Sequence, residues 1–292
     1  MYDSILVPVD GTPGAEGAIA RALSLARVGG ATVHALSVIE SGDDLAALDA
    51  DEREQVRRST ERRGEQATEH VMELADDAGV EVVRHVRDGV SHRQIVAYAD
   101  EADADLIVMG THGERDVRLG STTERVIATA DVPVMAVRLA DGPEDVPSVA
   151  GVTTDRVVVP TDGSDAADRA TDRALEIADL TGATVDVVYV IDRTIYDLED
   201  APRSIIGNLR EGGETVLEEV AAEATERGLG VNTEVLRGAP DEEILAYADG
   251  VDADLLAMGT RGRGGGGRSD RLLGSTTARV VRRSERPVLT VR

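Results

Sequence analysis

The stretch Ser4-Ile5-Leu6-Val7-Pro8-Val9-Asp10-Gly11-Thr12 returns as Arg156-Val157-Val158-Val159-Pro160-Thr161-Asp162-Gly163-Ser164, an offset of 152 residues. Two further blocks follow in the same order. Asp105-Leu106-Ile107-Val108-Met109-Gly110-Thr111-His112-Gly113 returns as Asp254-Leu255-Leu256-Ala257-Met258-Gly259-Thr260-Arg261-Gly262 at an offset of 149. Gly120-Ser121-Thr122-Thr123 returns as Gly274-Ser275-Thr276-Thr277 at an offset of 154. Blocks in constant order at nearly constant offset make the chain a tandem duplication. Two domains are expected, 1–139 and 155–292, joined by a linker at 140–154 that carries Gly142, Pro143, Pro147 and Gly151.

Each copy alternates strand and helix signals. In the first, short apolar runs lie at 4–9, 32–38, 81–86, 105–109 and 132–137. Between them Ala15, Ile19, Ala22 and Ala26 share one helical face, as do Val71, Leu74, Ala75 and Ala78. Ile95, Ala99 and Ala102 mark a third helix and 125–130 a fourth. The second copy repeats this from Arg156 to Arg292. Such alternation predicts two tandem α/β domains, each a parallel, doubly wound sheet with right-handed crossovers.

Composition narrows the function classes. The 292 residues contain neither Phe nor Trp, so the cores are built from Val, Ile, Leu and Ala, which suits strands covered on both faces. Cysteine is absent, which excludes disulfides and thiolate metal sites. The net charge of −25 arises from 56 acidic residues against 31 basic ones, all of them arginine. An acidic surface repels nucleic-acid phosphate, so direct DNA or RNA binding is disfavoured. Acid excess without lysine also reads as adaptation to concentrated salt, with a halophilic archaeon as the expected source. A GC-rich genome would also exchange Lys for Arg but does not explain the acid surplus. No apolar run approaches a membrane span and the start of the chain carries no signal-like segment, so a cytoplasmic protein is expected.

In doubly wound sheets ligands bind beyond the carboxyl ends of the strands, where strand order reverses. The unusual residues fall there: Pro8-Val9-Asp10-Gly11 after the first strand, Gly110 to Gly113 after the fourth, then Gly120-Ser121-Thr122-Thr123 opening a helix. Glycine allows close backbone approach, and free N–H groups at a helix start attract anions. Gly120-Ser121 could be merely an N-cap, since Ser and Thr are good caps anywhere. Two glycine clusters bracketing one loop, present in both copies, favour phosphate. Asp10 and Asp162 are open to several roles: turn or cap residue, acceptor from a ribose hydroxyl or adenine amino group, or water-mediated Mg²⁺ partner. His112 has Arg261 as its counterpart, so no histidine is shared as a catalytic base. Tyr98 and Tyr247, again 149 apart, read as packing residues. The lysine-bearing phosphate loop, the early G-x-G-x-x-G fingerprint, a Ser-His-Asp set and a His-Glu-x-x-His motif are all missing. Binding is thus better supported than turnover, and no catalytic residue is expected.

With these motifs the chain resembles the universal stress protein family over nearly its whole length. The resemblance implies a five-stranded parallel sheet of order 3-2-1-4-5 in each domain. It also implies a site for ATP, or ADP or AMP, with Mg²⁺ as counter-ion. By position, Pro8, Val9, Asp10 and Val38 would face adenine and ribose, while Met109, Gly110, His112, Gly113, Gly120, Ser121, Thr122 and Thr123 would surround ribose and phosphates. The matching second set is Pro160, Thr161, Asp162 and Val190, with Met258, Gly259, Arg261, Gly262, Gly274, Ser275, Thr276 and Thr277. ATP-binding members carry a G-2x-G-9x-G-[ST] loop; here six residues separate Gly113 from Gly120 and eleven separate Gly262 from Gly274. The short loop mixes Glu114 and Asp116 with Arg115 and Arg118, whereas the long one carries Arg263, Arg268 and Arg271 around four glycines, which ranks the second site ahead. The resemblance further implies a pseudo-dimer of the two domains through the fifth strands, 132–137 and 287–291, with a homodimer also open. Its role would be regulatory, with nucleotide state altering stability or partner binding. Competing expectations are a scaffold that binds no nucleotide, a soluble accessory to a transporter, and an adenylylating enzyme. Against the last, Asp10-Gly11-Thr12-Pro13-Gly14 lacks the phosphate loop such enzymes carry.

Overall fold

The computed structural model describes residues 2–40, 49–111, 119–138, 148–193, 203–263 and 273–292, with the side chains of 203–206 excepted. The chain divides into two compact units, Met1–Val152 and Thr153–Arg292.

In the first unit β1 (Ser4–Pro8), β2 (Thr32–Ile39), β3 (Val82–Asp88), β4 (Leu106–Gly110) and β5 (Val134–Val137) form a parallel sheet in the order β3-β2-β1-β4-β5. Helices α1 (Glu16–Gly29), α2 (Ala50–Ala78), α3 (Ser91–Glu101) and α4 (Ser121–Thr129) connect them. The second unit repeats the pattern with β6 (Arg156–Pro160), α5 (Asp165–Thr181), β7 (Thr184–Asp192), α6 (Arg203–Glu226), β8 (Val231–Gly238), α7 (Pro240–Gly250), β9 (Leu255–Gly259), α8 (Ser275–Arg283) and β10 (Val288–Val291). Its strands run parallel in the order β8-β7-β6-β9-β10.

The central strands are apolar without alternation because helices cover both faces. Ile5, Leu6 and Val7 in β1 and Val157, Val158 and Val159 in β6 are fully buried. Ile19, Ala22 and Ala26 of α1 are buried toward this layer, and the small alanines let the helix lie close. A repeated carboxylate ties the layer together. Asp105 Oδ2 accepts from the N–H groups of Asp3 and Ser4 at 2.7 and 3.0 Å, and Asp254 Oδ2 from those of Asp155 and Arg156 at 2.8 and 3.0 Å. The residue that opens the second sequence block thus satisfies donors at the start of the central strand that no ladder partner reaches.

Only the later turns of α2 follow the apolar spacing: Val71 and Ala75 are buried, Leu74 and Ala78 half-buried. Its first turns are exposed and polar apart from Val56, held by a capping box between Asp49 and Glu52 and by an Arg58–Glu54 pair at 2.8 Å.

The recurring tyrosines pack, as their helical setting suggests. The Tyr98 hydroxyl lies 2.8 Å from His34 Nδ1, with the Arg87 guanidinium 4.5 Å above its ring. The Tyr247 hydroxyl donates to Asp186 Oδ1 at 3.4 Å; that buried carboxylate also accepts from Asn232 Nδ2 at 2.8 Å and has Arg156 Nε 3.5 Å from Oδ2. Burial, then the negative charge of Asp186 and Glu234, pushes the Tyr247 phenol up to about 12. The phenol of the unfolded chain ionises near its ordinary value of about 10, so over that interval the unfolded state releases its proton first. The contribution is complete below about pH 10 and is lost as pH rises toward about 12. Denaturant titrations across this window should therefore show a stability decline that Tyr247→Phe reduces; an identical slope in the variant would contradict the assignment.

Candidate functional site

The reversal of strand order falls between β1 and β4, and a cavity of about 260 Å³ opens there. Pro8, Val9, Asp10, Val38, Met109, Gly110, Gly120, Ser121, Thr122 and Thr123 all line it, so the first-copy residues singled out in sequence meet in one space wherever they are described. His112 and Gly113 lie outside the described residues. Its size sits just below the range at which small-ligand sites begin, roughly 300 Å³. The lining is apolar at Pro8, Val9, Leu36, Val38, Ile95 and Met109 and polar at Asp10, Thr12, Thr111, Ser121 and Thr122.

Main-chain geometry sets the polar part of the lining. Asp10 Oδ1 accepts from the N–H of Thr12 at 2.9 Å and from its hydroxyl at 2.6 Å, closing a turn in which Gly11 has φ +74°. Asp10 is therefore a turn former, one of the roles left open, while it also faces the cavity. Gly110 lets β4 pass close to the chain that starts α1, since a Cβ there would run into the carbonyl of Gly14. The N–H of Gly120 donates to Thr111 O at 2.7 Å, and Thr123 Oγ1 donates to Gly110 O at 2.9 Å. The Thr123 hydroxyl hydrogen is thus committed to joining α4 to β4.

The N-cap of α4 is Gly120, and no side chain caps the helix. An uncapped helix start leaves N–H groups directed outward with the positive end of the helix dipole behind them. Nearby, Glu40 Oε1 accepts from the N–H of Ser91 at 3.0 Å at the start of α3. Hydrogen bonds from the Ser91 side chain and main chain hold the Glu40 carboxyl below the usual range; burial opposes them, and His92 and Arg125 add to the lowering.

The second unit repeats the frame. Pro160, Thr161 and Asp162 end β6 and follow it, Val190 lies in β7, Met258 and Gly259 end β9, and Ser275, Thr276 and Thr277 open α8. Gly274 is the N-cap, again without a side-chain cap; its N–H donates to Thr260 O at 2.8 Å, and Thr277 Oγ1 donates to Gly259 O at 2.8 Å. Asp162 Oδ1 accepts from the N–H of Ser164 at 3.1 Å, and its Oδ2 from the N–H of Arg263 at 2.8 Å. Arg261 and Gly262 lie on the segment so held: Ser164 Oγ donates to Arg261 O at 3.4 Å, and a Cβ on Gly262 would strike Asp162 Oδ2. The Arg263 guanidinium donates from Nε and Nη2 to Gly163 O at 3.2 and 3.0 Å. Arg268 and Arg271 lie outside the described residues.

Sequence reasoning missed Thr12, Gly14, Ala15, Leu36, Ser91, Ile95 and Thr111 as cavity residues. Thr12 and Thr111 sit inside motifs already noted, but Ser91 has no local signal, since only packing of α3 brings it to the cavity. Among the described residues no group of three or more His, Asp or Glu is arranged to hold a metal ion, and no helix is long and apolar enough to cross a membrane.

These features define a tandem pair of doubly wound α/β domains, with a crevice at the switch point of the first and the same frame in the second. The chain belongs to the universal stress protein family, whose model matches residues 1–138 and again 153–292. It is 38% identical over 141 residues to universal stress protein MJ0531 of Methanocaldococcus jannaschii, a match covering 47% of this chain and 83% of that protein. Among solved structures, a universal stress protein from Archaeoglobus fulgidus superposes with a TM-score of 0.74 at 24% identity, covering 99% of this chain and 96% of that one. A protein from Pseudomonas aeruginosa described as a putative universal stress protein superposes at 0.64 with 22% identity, covering 99% and 93%. Both likenesses bear on the fold.

Proposed function

We propose that this tandem universal stress protein binds an adenine nucleotide, ATP with Mg²⁺, at the carboxyl ends of β1 and β4 and of β6 and β9, and acts as a regulatory protein whose partner contacts depend on that ligand. The observation that carries the reading is that a single first-unit cavity is lined both by apolar residues suited to a flat base and by the uncapped start of α4. A base placed against Pro8, Val38 and Ile95 sends its ribose past Asp10 toward Ser121 and Thr122. There the main-chain amides, with the two hydroxyls, meet phosphate without lysine. Mg²⁺ enters with the phosphates, because the described side chains do not build a metal site by themselves. Catalysis is not needed for this role, and hydrolysis is at most slow.

The test is mass spectrometry of the small molecules released when the purified protein is heat-denatured, followed by calorimetric titration of the emptied protein with Mg·ATP in molar salt. A retained adenine nucleotide and saturable heat are expected. Neither retained nucleotide nor binding heat would leave a scaffold that works through protein contacts.

A further inference from the structure

We propose that each half contacts the phosphate chain through an arginine seated on the glycine of its Asp-Gly turn: Arg63 of α2 in the first, Arg263 of the loop after β9 in the second. This rests on the nucleotide reading above and adds the residues that discriminate phosphate number.

The two turns are alike, with φ +74° at Gly11 and +67° at Gly163. A Cβ built on Gly11 would lie 3.3 Å from Arg63 Cγ and 3.6 Å from Ala67 Cβ. One built on Gly163 would meet the Arg263 guanidinium and lie 3.2 Å from Val216 Cγ2. Ala67 and Val216 are matched positions, 149 apart, so the same side of the turn is covered by the same helix in both halves. The arginine is not at a matched position. By the same offset Arg63 corresponds to Gly212, and Arg263 corresponds to Glu114. The halves have exchanged which element supplies the cation while keeping a cation on the turn.

Packing fixes Arg63 at that height. The next residue, Gly64, is buried, and a Cβ there would lie 2.8 Å from Ser37 Oγ, so α2 rests directly on β2. Gly213 makes the equivalent close approach to Tyr189, whereas a Cβ on Gly212 would meet nothing within 4 Å. The second half therefore has room for a side chain at the helix position from which the first half extends its arginine. Among the described residues Arg63 has no acidic partner and its side chain is exposed. Arg263 directs two of its five N–H donors to one carbonyl oxygen. Covering glycine needs only an aliphatic stem. An arginine whose stem lies on the turn that Asp10 closes, or whose guanidinium lies on the turn that Asp162 closes, supplies in a chain of net charge −25 what the acidic background withholds from a polyphosphate.

The experiment is calorimetric binding of ATP, AMP and adenosine to wild type, Arg63→Gln, Arg263→Gln and the double variant in one buffer. Glutamine keeps most of the stem and removes the charge. Each single change should weaken ATP at one of two sites on the order of tenfold, with adenosine within about twofold, and the double change should weaken both. Adding Gly212→Arg to Arg263→Gln should restore ATP affinity, since the relocated arginine copies the first-half arrangement. The proposal is overturned if ATP affinity does not move, if adenosine falls in parallel with ATP, or if the relocated arginine restores nothing. A wild type that binds no nucleotide removes the reading beneath it as well; a wild type that binds ATP while the variants match it removes this proposal alone.

Discussion

Gly110→Ala is expected to lower the thermal midpoint of the first unit by about 10 °C, corresponding to roughly 3 kcal/mol at about 3 °C per kcal/mol for a unit of this size. The added Cβ runs into the carbonyl oxygen of Gly14, with the carbonyl carbon 3.0 Å away. Both are main-chain atoms at the entry to α1, so relief requires moving the helix start and the turn that Asp10 closes. Gly259→Ala should act similarly on the second unit, where the Cβ would meet the carbonyl carbon and oxygen of Ala166 at 2.7 and 2.9 Å. Gly212→Ala is the control: an exposed helical glycine with nothing within 4 Å should gain up to about 1 kcal/mol on substitution. Differential scanning calorimetry of the three variants decides the matter, and a Gly110→Ala midpoint equal to wild type would mean that strand and helix start are not in contact.

Gly120→Val should do the reverse, leaving the fold intact while removing the ligand. Gly120 has φ −60° and ψ 140°, a conformation that valine adopts readily. Its Cβ would lie 3.4 Å from Thr111 O and 3.9 Å from Thr123 Oγ1, which is ordinary contact. The methyl groups then occupy space at the cavity lining beside the amides of Ser121 and Thr122. Nucleotide affinity of the first site should fall roughly a hundredfold or more, about 3 kcal/mol, while the thermal midpoint changes by only a few degrees. Unchanged retention of nucleotide would place the phosphates elsewhere. Gly274 is a less clean counterpart, because its Cβ would come within 3.0 Å of Thr260 O.

These two glycines belong to neighbouring motifs and both line the cavity, yet a Cβ strikes main chain at Gly110 and makes only ordinary contacts at Gly120. The same division runs through the rest of the site. Thr123 and Ser121 read as equal hydroxyl donors, but the Thr123 hydroxyl is bound to Gly110 O. Asp10 reads as a turn former or a ligand partner; its bonds to Thr12 satisfy the first role and leave the second open. The first turns of α2 carry no apolar stripe, so the spacing of Val71 and Ala75 locates only the end of a helix that starts at Ala50. Arg63, seated on Gly11, has no sequence signal at all.

Residue pattern alone was sufficient for the duplication, the parallel strands and the positions of the glycine and hydroxyl clusters. Buried parallel strands require apolar runs, and tight turns and bare helix starts require small residues at short, repeated spacings. Tertiary structure decided which glycine is a contact and which an opening, which hydroxyl is already bonded, and which arginine reaches the turn. Those outcomes depend on atoms brought together from distant segments, whose separations no local spacing encodes.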